Sequence, residues 1–305
     1  MDIEYKERNV TSCVRIKLLI KSVSNNGMDK MTEEKKYELL MLGTGNAMVT
    51  NCYNTCFAIR YNTNYFLVDA GGGNGILRQM EQANMDIRNL HDMFVTHGHT
   101  DHVLGAIWVI RKIASMMENN TYDGIFTIYC HDVVKKMLET FCEMMLTTKL
   151  LRYIGQRILI TEVRDGEQIE IQKMDMKLFF FDILSTKAKQ FGFRGELGNG
   201  KVITCLGDEP FNIACYAVVM GSDWLLSEAF CLYEDKERFK PYEKHHSTAL
   251  DAGRLASELM VKNLVLYHTE DKTLNTRKER YTKEAKENFH GNVYVPDDLE
   301  TIVLD

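Results

Sequence analysis

Apolar positions along the chain predict short strands and helices that alternate from Tyr37 onward. An apolar run at 37–42 ends at Gly43-Thr44-Gly45, and the segments 55–60 and 65–68 are predicted to pair as a hairpin. A helix is predicted over 71–82, and a short apolar strand follows at 93–96. Past Asp101 the apolar residues recur at helical spacing, so a second helix is predicted to begin there.

The rest of the chain continues this alternation. Further strands are predicted at 125–129, 202–206, 224–226 and 264–267, a longer strand run at 158–184, and helices near 133–145, 248–261 and 278–289. Strands interleaved with helices are typical of mixed sheets that have helices packed against them. We therefore expect an α/β (α+β) fold.

The first strong fold signal comes at residue 37, so residues 1–36 are expected to be an N-terminal extension and 37–305 a single domain. The apolar stretch 14–23 contains Arg15, Lys17 and Lys21 and is too short to span a bilayer. Met28 or Met31 is an alternative start of the protein. No membrane association is expected.

Composition narrows the class of protein. The net charge of -6 argues against a broadly basic surface for nucleic acid, although it leaves room for a local phosphate pocket. The eight cysteines include no Cys-x-x-Cys pair, so reduced thiols and a cytoplasmic location are expected.

Three histidines and an aspartate lie within six positions, at the predicted junction between a strand and a helix. They are His97, His99, Asp101 and His102. On such a turn the first two histidines can converge on one metal ion, while Asp101 and His102 face a second. Imidazole and carboxylate ligands suit zinc, and manganese and iron accept them as well. The cluster therefore predicts a metal site.

With these residues the chain resembles the metallo-β-lactamase superfamily, and most of all its ribonuclease Z-like branch. The matching segments follow in the order that the branch shows: Leu42-Gly43-Thr44-Gly45, Leu67-Val68-Asp69-Ala70-Gly71-Gly72, the histidine cluster, Gly207-Asp208, Leu226-Ser227-Glu228-Ala229-Phe230, Lys244-His245-His246-Ser247-Thr248-Ala249 and Leu266-Tyr267-His268-Thr269. The resemblance runs from about residue 37 to the C-terminus. It implies a four-layer αββα sandwich and a metal-dependent hydrolase.

The resemblance also implies roles for individual residues. Asp208 would bridge two divalent ions, and His268 would complete the site beside Asp101 and His102. Two such ions hold a hydroxide between them and stabilise the attacking and leaving oxygens of a phosphoryl transfer. His246 would protonate the leaving oxygen, with Glu228 orienting it. Asp69 would orient the metal loop, and His245, where the branch usually has glycine, would support the ligands from outside. Relatives are commonly homodimers, so a homodimer is expected.

One departure from the branch concerns the first metal ion. The branch carries a third histidine at the end of the strand before Asp208, and our alignment places Leu184 in that slot. An aliphatic side chain cannot coordinate zinc, so the first site is expected to be weak, or supported by the nearby Asp182. On this alignment, replacing Leu184 with histidine should tighten metal binding. His131 follows a predicted strand and is expected to be structural.

A second departure concerns the substrate. The branch members that process transfer RNA precursors carry a long glycine-rich arm before the bridging aspartate, but only residues 185–207 occupy that place here. Hydrolysis of a small phosphodiester, such as a cyclic nucleotide or an oligonucleotide end, is therefore favoured over endonuclease action on precursor transfer RNA. The segment 187–194 is expected to lie at the mouth of the site, where Lys187, Lys189 and Arg194 would bind the substrate's phosphate. The alternative is that this segment is a solvated edge strand. The alternatives are a thioester or lactone hydrolase, and a metal-binding protein with impaired catalysis.

Overall fold

The fold is seen in a computed structural model that describes residues 36–305. The predicted extension over residues 1–36 lies outside the described residues, apart from Lys36. The strands, in chain order, are β1 (Tyr37–Gly43), β2 (Cys56–Tyr61), β3 (Asn64–Val68), β4 (Leu90–Val95), β5 (Phe126–Cys130), β6 (Ile158–Glu162), β7 (Gln168–Ile171), β8 (Met176–Asp182), β9 (Phe191–Leu197), β10 (Val202–Cys205), β11 (Trp224–Glu228), β12 (Asn263–Tyr267), β13 (Asn292–Tyr294) and β14 (Thr301–Val303).

These strands form two mixed sheets of seven strands each within residues 36–305. The first has the order β14-β1-β2-β3-β4-β5-β6, and the second has the order β13-β12-β11-β10-β9-β8-β7. The helices are α1 (Gly75–Gln82), α2 (Thr100–Glu118), α3 (Asp132–Met145), α4 (Thr148–Leu151), α5 (Tyr216–Val219), α6 (Lys236–Phe239), α7 (Ala249–Glu258) and α8 (Leu274–Ala285).

Alternating side chains on the strands build separate cores on the two faces of each sheet. On β4, Met93 and Val95 pack into the core beneath α1, α2 and α3, whereas Phe94 points between the two sheets. There the Phe94 ring meets the ring of Phe180 at a centroid distance of 5.0 Å and that of Phe193 at 5.9 Å. A third core joins the second sheet to α7 and α8. The predicted four-layer αββα sandwich is confirmed.

The structure also corrects several predicted elements. The strand run predicted at 158–184 is divided into β6, β7 and β8, with turns between them. The last helix begins at Leu274 rather than at 278. The segment 187–194, expected to be either the mouth of the site or an edge strand, divides between a loop and β9, which begins at Phe191 and lies inside the second sheet between β8 and β10. Among residues 36–305 no helix is long and apolar enough to cross a membrane.

The parallel pairing of several strands determines where the candidate site lies. Strand β3 runs parallel to β4, and β10, β11 and β12 run parallel to one another, so within each sheet these strands end at the same edge. The residues that follow or close these strands include Asp69, the histidine cluster, Asp208, Glu228 and His268. Groups that are far apart in the sequence can therefore meet at this edge.

Candidate metal centre

The histidine cluster occupies the turn between β4 and α2. His99 caps the N-terminus of α2 with an extended backbone, and Asp101 lies in the first helical turn. A carboxylate is favourable there because the helix dipole is positive at its N-terminus. Asp101 and His102 are buried, whereas the side chain of His99 is 38% exposed toward solvent. The turn thus exposes one histidine and buries the rest of the cluster.

Asp208 lies at the centre of the cluster. Its Oδ2 atom is 3.5 Å from Nε2 of His97, 3.9 Å from Nδ1 of His99, and 3.6 Å from Nε2 of both His102 and His268. Four imidazoles from two sheets therefore face a single carboxylate oxygen. Asp208 is thus close to ligands predicted for each of the two metal ions.

The potential ligands form two groups, and the group around Asp101 and His268 is more complete than the group around His97 and His99. Oδ2 of Asp101 lies 3.3 Å from Nε2 of His102 and 3.4 Å from Nε2 of His268, and these three residues form one compact group of potential ligands. His97 shares a second group with His102 and Asp208. Within residues 36–305, neither group contains a further histidine that would replace the expected third ligand beside His97 and His99.

The residues fit a pair of divalent cations. His102 Nε2 and Asp208 Oδ1 are buried and have no hydrogen-bond partner among the described residues. Burial alone would raise the pKa of the Asp208 carboxyl, but His97, His99 and His102 hold that pKa well below its ordinary value. A buried, ionised carboxylate with four imidazoles around it, including that of His102 with its unpaired Nε2 atom, is a donor set that suits zinc and related metals.

Asp69 and Thr96 orient the ligands. Oδ2 of Asp69 accepts hydrogen bonds from Thr96 Oγ1 and from His102 Nδ1, each at 2.8 Å, and Oδ1 accepts one from Thr96 N at 2.8 Å. Thr96 Oγ1 also lies 2.9 Å from His97 Nδ1. Both histidines therefore turn Nε2 toward Asp208. Thr96 was not singled out from the sequence, although it directly precedes the cluster.

A second set of groups shares a cavity of about 500 Å³ with the metal ligands. The cavity wall includes His246, Lys187 and Lys244, together with Asp101, Asp208 and His268. His246 Nδ1 is 3.6 Å from Oε2 of Glu228, and its ring stacks on Phe230 with a centroid distance of 4.7 Å and an interplanar angle of 7°. Oε1 of Glu228 accepts a hydrogen bond from Ser247 Oγ at 2.7 Å. The sequence did not indicate the contribution of Phe230 and Lys244.

Two of the predicted phosphate ligands lie elsewhere. Arg194 is on β9, where its Nη1 atom donates to Val218 O and to Ser222 Oγ, so it is held against the segment near α5. Lys189 forms an ion pair of 2.6 Å with Asp132 at the start of α3 and is not part of the cavity wall. The prediction was wrong for both side chains, and only Lys187 of the three reaches the cavity.

The predicted substitute for the third histidine is also misplaced. Asp182 uses its Oδ1 atom to accept a hydrogen bond of 2.8 Å from Leu184 N and belongs to neither metal group. Leu184 is 49% exposed and does not line the cavity, which argues against the ligand slot that the alignment assigned to it. His131 is buried 5.5 Å from the Phe191 ring, outside the metal groups. His245 bonds to Thr186 Oγ1 through Nδ1 at 2.9 Å.

Comparison with known proteins identifies the family. A family model described as anti-Pycsar protein Apyc1 matches residues 37–289. The chain belongs to this Apyc1 family. The match covers the strands β1 to β12 and every residue that faces Asp208.

Relatives of this Apyc1-family chain agree with the resemblance found in the sequence. A ribonuclease Z from Pseudomonas putida F1 is 25% identical over 308 residues, which cover 86% of this chain and 95% of that relative. The metallo-β-lactamase fold protein YhfI from Bacillus subtilis superposes with a TM-score of 0.70 at 17% identity, covering 88% of this chain and 99% of that one. The short form of human tRNase Z superposes with a TM-score of 0.64 at 19% identity, covering 87% and 98%.

The predicted membership of the metallo-β-lactamase superfamily, in its ribonuclease Z-like branch, is thereby confirmed. The similarity to enzymes named ribonuclease Z supports a metal-dependent hydrolase for this Apyc1-family chain. The groups around Asp208 support divalent metal binding. The substrate and the identity of the metal are separate questions.

Proposed function

We propose that this chain is a phosphodiesterase that hydrolyses a small phosphodiester, such as a cyclic nucleotide or the end of a short oligonucleotide. The observation that carries the proposal is a cavity that is lined by Asp208 and by the predicted metal ligands His99, Asp101 and His268. The same cavity is lined by His246 and by the ammonium-bearing side chains Lys187 and Lys244. A phosphodiester is an anion, and it would lie between a pair of cations and these positive side chains.

Two divalent ions would be held by the residues around Asp208. His97, His99 and Asp208 would hold one ion, and Asp101, His102, His268 and Asp208 the other. We propose zinc, with manganese and iron as alternatives, because all three accept imidazole and carboxylate ligands. Bound ions of this kind lower the pKa of water and offset the charge that develops on phosphate oxygens.

The chain's own residues complete the reaction. Water forms a bond to phosphorus as the bond to the leaving oxygen breaks, and the electron pair of that bond stays on the leaving oxygen. His246 lines the cavity beside His268, with a distance of 5.2 Å between their ring centroids, where it can give this oxygen a proton, while the proton lost by water passes to solvent. Glu228 holds the segment that carries His246, because its Oε1 accepts a hydrogen bond from Ser247 Oγ.

The size of the site favours a small substrate. A cavity of about 500 Å³ falls within the range of sites for small molecules. The chain before Asp208 contains β9 and β10, joined to β8 only by the loop 183–190, so an RNA-binding arm has no place in this segment. These features support a nucleotide-sized substrate over a folded transfer RNA precursor.

Substrate profiling tests the proposal. The purified chain, loaded with zinc or manganese, would be assayed on bis(p-nitrophenyl) phosphate, on 3′,5′- and 2′,3′-cyclic nucleotides, and on a panel of thioesters and lactones. We expect phosphodiester turnover that Asp208→Asn abolishes. Turnover of thioesters or lactones without phosphodiester hydrolysis would contradict the proposal and favour the alternative hydrolase.

The incomplete set of ligands beside His97 and His99 supports a second candidate, a metal-binding protein with impaired catalysis. Metal content per chain and activity separate the two candidates. Absence of bound metal after purification in zinc or manganese, together with no hydrolysis, would favour the impaired protein. The homodimer and the cytoplasmic location remain predictions, and light scattering of the purified chain would test the dimer.

A further inference from the structure

Two loops beside the cavity contact each other through consecutive residues. Thr186 Oγ1 lies 2.9 Å from His245 Nδ1, and Lys187 Nζ lies 3.4 Å from His246 Nε2. Thr186 and Lys187 belong to the loop between β8 and β9, and the two histidines belong to the segment before α7. This pairing holds the Lys187 ammonium next to the ring nitrogen that faces the cavity.

Glu209 anchors the loop that carries Lys187. Its Oε1 atom accepts a hydrogen bond of 2.7 Å from Ser185 Oγ, and its Oε2 atom accepts one of 3.2 Å from Thr186 N. Glu209 is buried and directly follows Asp208 in the chain. Because Glu209 is joined to Asp208 by a peptide bond, the loop that carries Lys187 is held next to the Asp208 carboxylate.

The Lys187 ammonium keeps most of its capacity to bind a substrate. Its distance of 3.8 Å to Glu209 Oε1 is an ion pair rather than a hydrogen bond, and that oxygen already accepts from Ser185. The side chain of Lys187 is 24% exposed and lines the cavity. By contrast, Lys189 in the same loop is engaged by Asp132 outside the cavity wall.

We propose that Lys187 is a catalytic residue that stabilises the leaving oxygen, rather than one that holds a non-bridging phosphate oxygen. The proposal rests on the proposed phosphodiesterase function. An oxygen that receives a hydrogen bond from His246 Nε2 lies within reach of an ammonium only 3.4 Å from the same nitrogen. As the bond from phosphorus to this oxygen breaks, negative charge grows on the oxygen, and the hydrogen bond from Lys187 strengthens.

A leaving-group series separates the two roles of Lys187. The substrates are p-nitrophenyl, p-chlorophenyl and phenyl esters of thymidine 5′-monophosphate, which share the same phosphate and nucleoside. In Lys187→Met we expect kcat/KM to fall about 10-fold for the p-nitrophenyl ester and about 300-fold for the phenyl ester. The loss is larger for the phenyl ester because its leaving oxygen carries more charge. Lys187→Arg should recover much of the loss for the phenyl ester.

Lys189→Met is the matched control, because it removes the same charge from the same loop without altering the cavity. Its kcat/KM values should stay within about twofold of wild type for all three esters. The ratio between esters is measured on one preparation of each variant, so it does not depend on the fraction of folded or metal-loaded protein. Metal content per chain, measured on the same preparations, should be equal in wild type and Lys187→Met.

The outcomes distinguish this proposal from the proposed function. A uniform loss across the three esters in Lys187→Met would assign Lys187 to a non-bridging oxygen and overturn the proposal. An unchanged kcat/KM would also overturn it, and both results would leave the phosphodiesterase function standing. If the metal-loaded wild type hydrolyses none of the esters, the cyclic nucleotides or bis(p-nitrophenyl) phosphate, the proposed function fails, and the role of Lys187 fails with it.

Discussion

The Asp69 carboxylate accepts a hydrogen bond from His102 Nδ1 at 2.8 Å and joins the end of β3 to the first turn of α2. The same carboxylate also binds the backbone N–H and the hydroxyl of Thr96, which in turn contacts His97. One buried acid therefore sets the direction of two imidazoles, each of which belongs to a different half of the centre.

This relationship predicts that Asp69→Asn weakens metal binding without removing any ligand. We expect the affinity for zinc to fall about 10- to 100-fold, because an amide cannot accept hydrogen bonds at both of its terminal atoms. Competition with a chromophoric chelator measures the change. Asp92→Asn, at a partly buried carboxylate on β4 outside the centre, is the control, and an equal loss in both variants would rule out the orienting role.

The unequal ligand sets predict that the two metal ions leave the protein in separate steps. During titration with a chelator we expect the first ion to dissociate at a concentration at least about tenfold below that needed for the second. The reason is that His97 and His99 share only Asp208, whereas Asp101, His102 and His268 surround the other position. Metal content at each stage measures the steps.

Two variants assign these steps. His99→Ala should remove the weaker step and preserve the stronger one, whereas His268→Ala should remove the stronger step. A single step with the same midpoint for both ions in wild type would show that the missing third ligand has no effect on affinity.

Leu184 has a left-handed backbone conformation, with φ of 59°, and its side chain is half exposed. Leucine is strained in this conformation, whereas asparagine tolerates it. We therefore expect Leu184→Asn to raise the free energy of unfolding by about 0.5 to 1 kcal/mol, as measured by urea denaturation.

Because Leu184 does not line the cavity, Leu184→His should leave metal affinity unchanged, contrary to the expectation from the sequence alignment. Tighter metal binding in Leu184→His would reinstate that alignment.

Asp92 predicts a pH dependence of stability that is independent of the metal centre. Burial raises the pKa of Asp92 from 3.8 to about 6, although the Tyr129 hydroxyl donates to it at 3.2 Å. Between these two pKa values the folded protein holds a proton that the unfolded chain releases, so Asp92 lowers the free energy of unfolding as pH rises through this range. The cost is complete above pH 6.

Asp92→Asn should remove this cost. We expect a gain on the order of 1 kcal/mol at pH 7.5 and little or no gain at pH 4, from denaturant unfolding at both values. The carboxylate keeps part of its hydration, which limits the gain. An equal gain at both pH values would mean that the effect comes from packing and not from ionisation.

Much of the centre could be predicted because its residues follow strands. Asp69, His97, Asp208 and His268 each come one to three residues after a buried strand, and parallel pairing brings such positions together. Their polar character also stands out against the apolar runs that precede them. The motifs and the predicted ends of the strands therefore identified the same site residues.

The errors arose where one position along a strand or loop changes which way a side chain points. Phe193 on β9 faces the core between the sheets, so its neighbour Arg194 must face the other side, away from the histidines. The sequence 187–194 favoured neither a loop at the site nor an edge strand, because its charged residues and Gly192 also resemble a loop. The left-handed conformation of Leu184 could not be predicted from the sequence either, since leucine rarely adopts it.

The meeting of strand ends from both sheets has a mechanical consequence. Each cation held at Asp208, one with His97 and the other with Asp101 and His268, would act as a reversible cross-link between the two halves of the sandwich, closing a chain segment of more than a hundred residues. Because the folded chain already brings these segments together, the ion makes the contact between the two sheets more rigid without ordering further backbone. Removing it should loosen the ends of β4, β10 and β12 in concert, so backbone amides there would exchange hydrogen faster while the outer strands keep their protection.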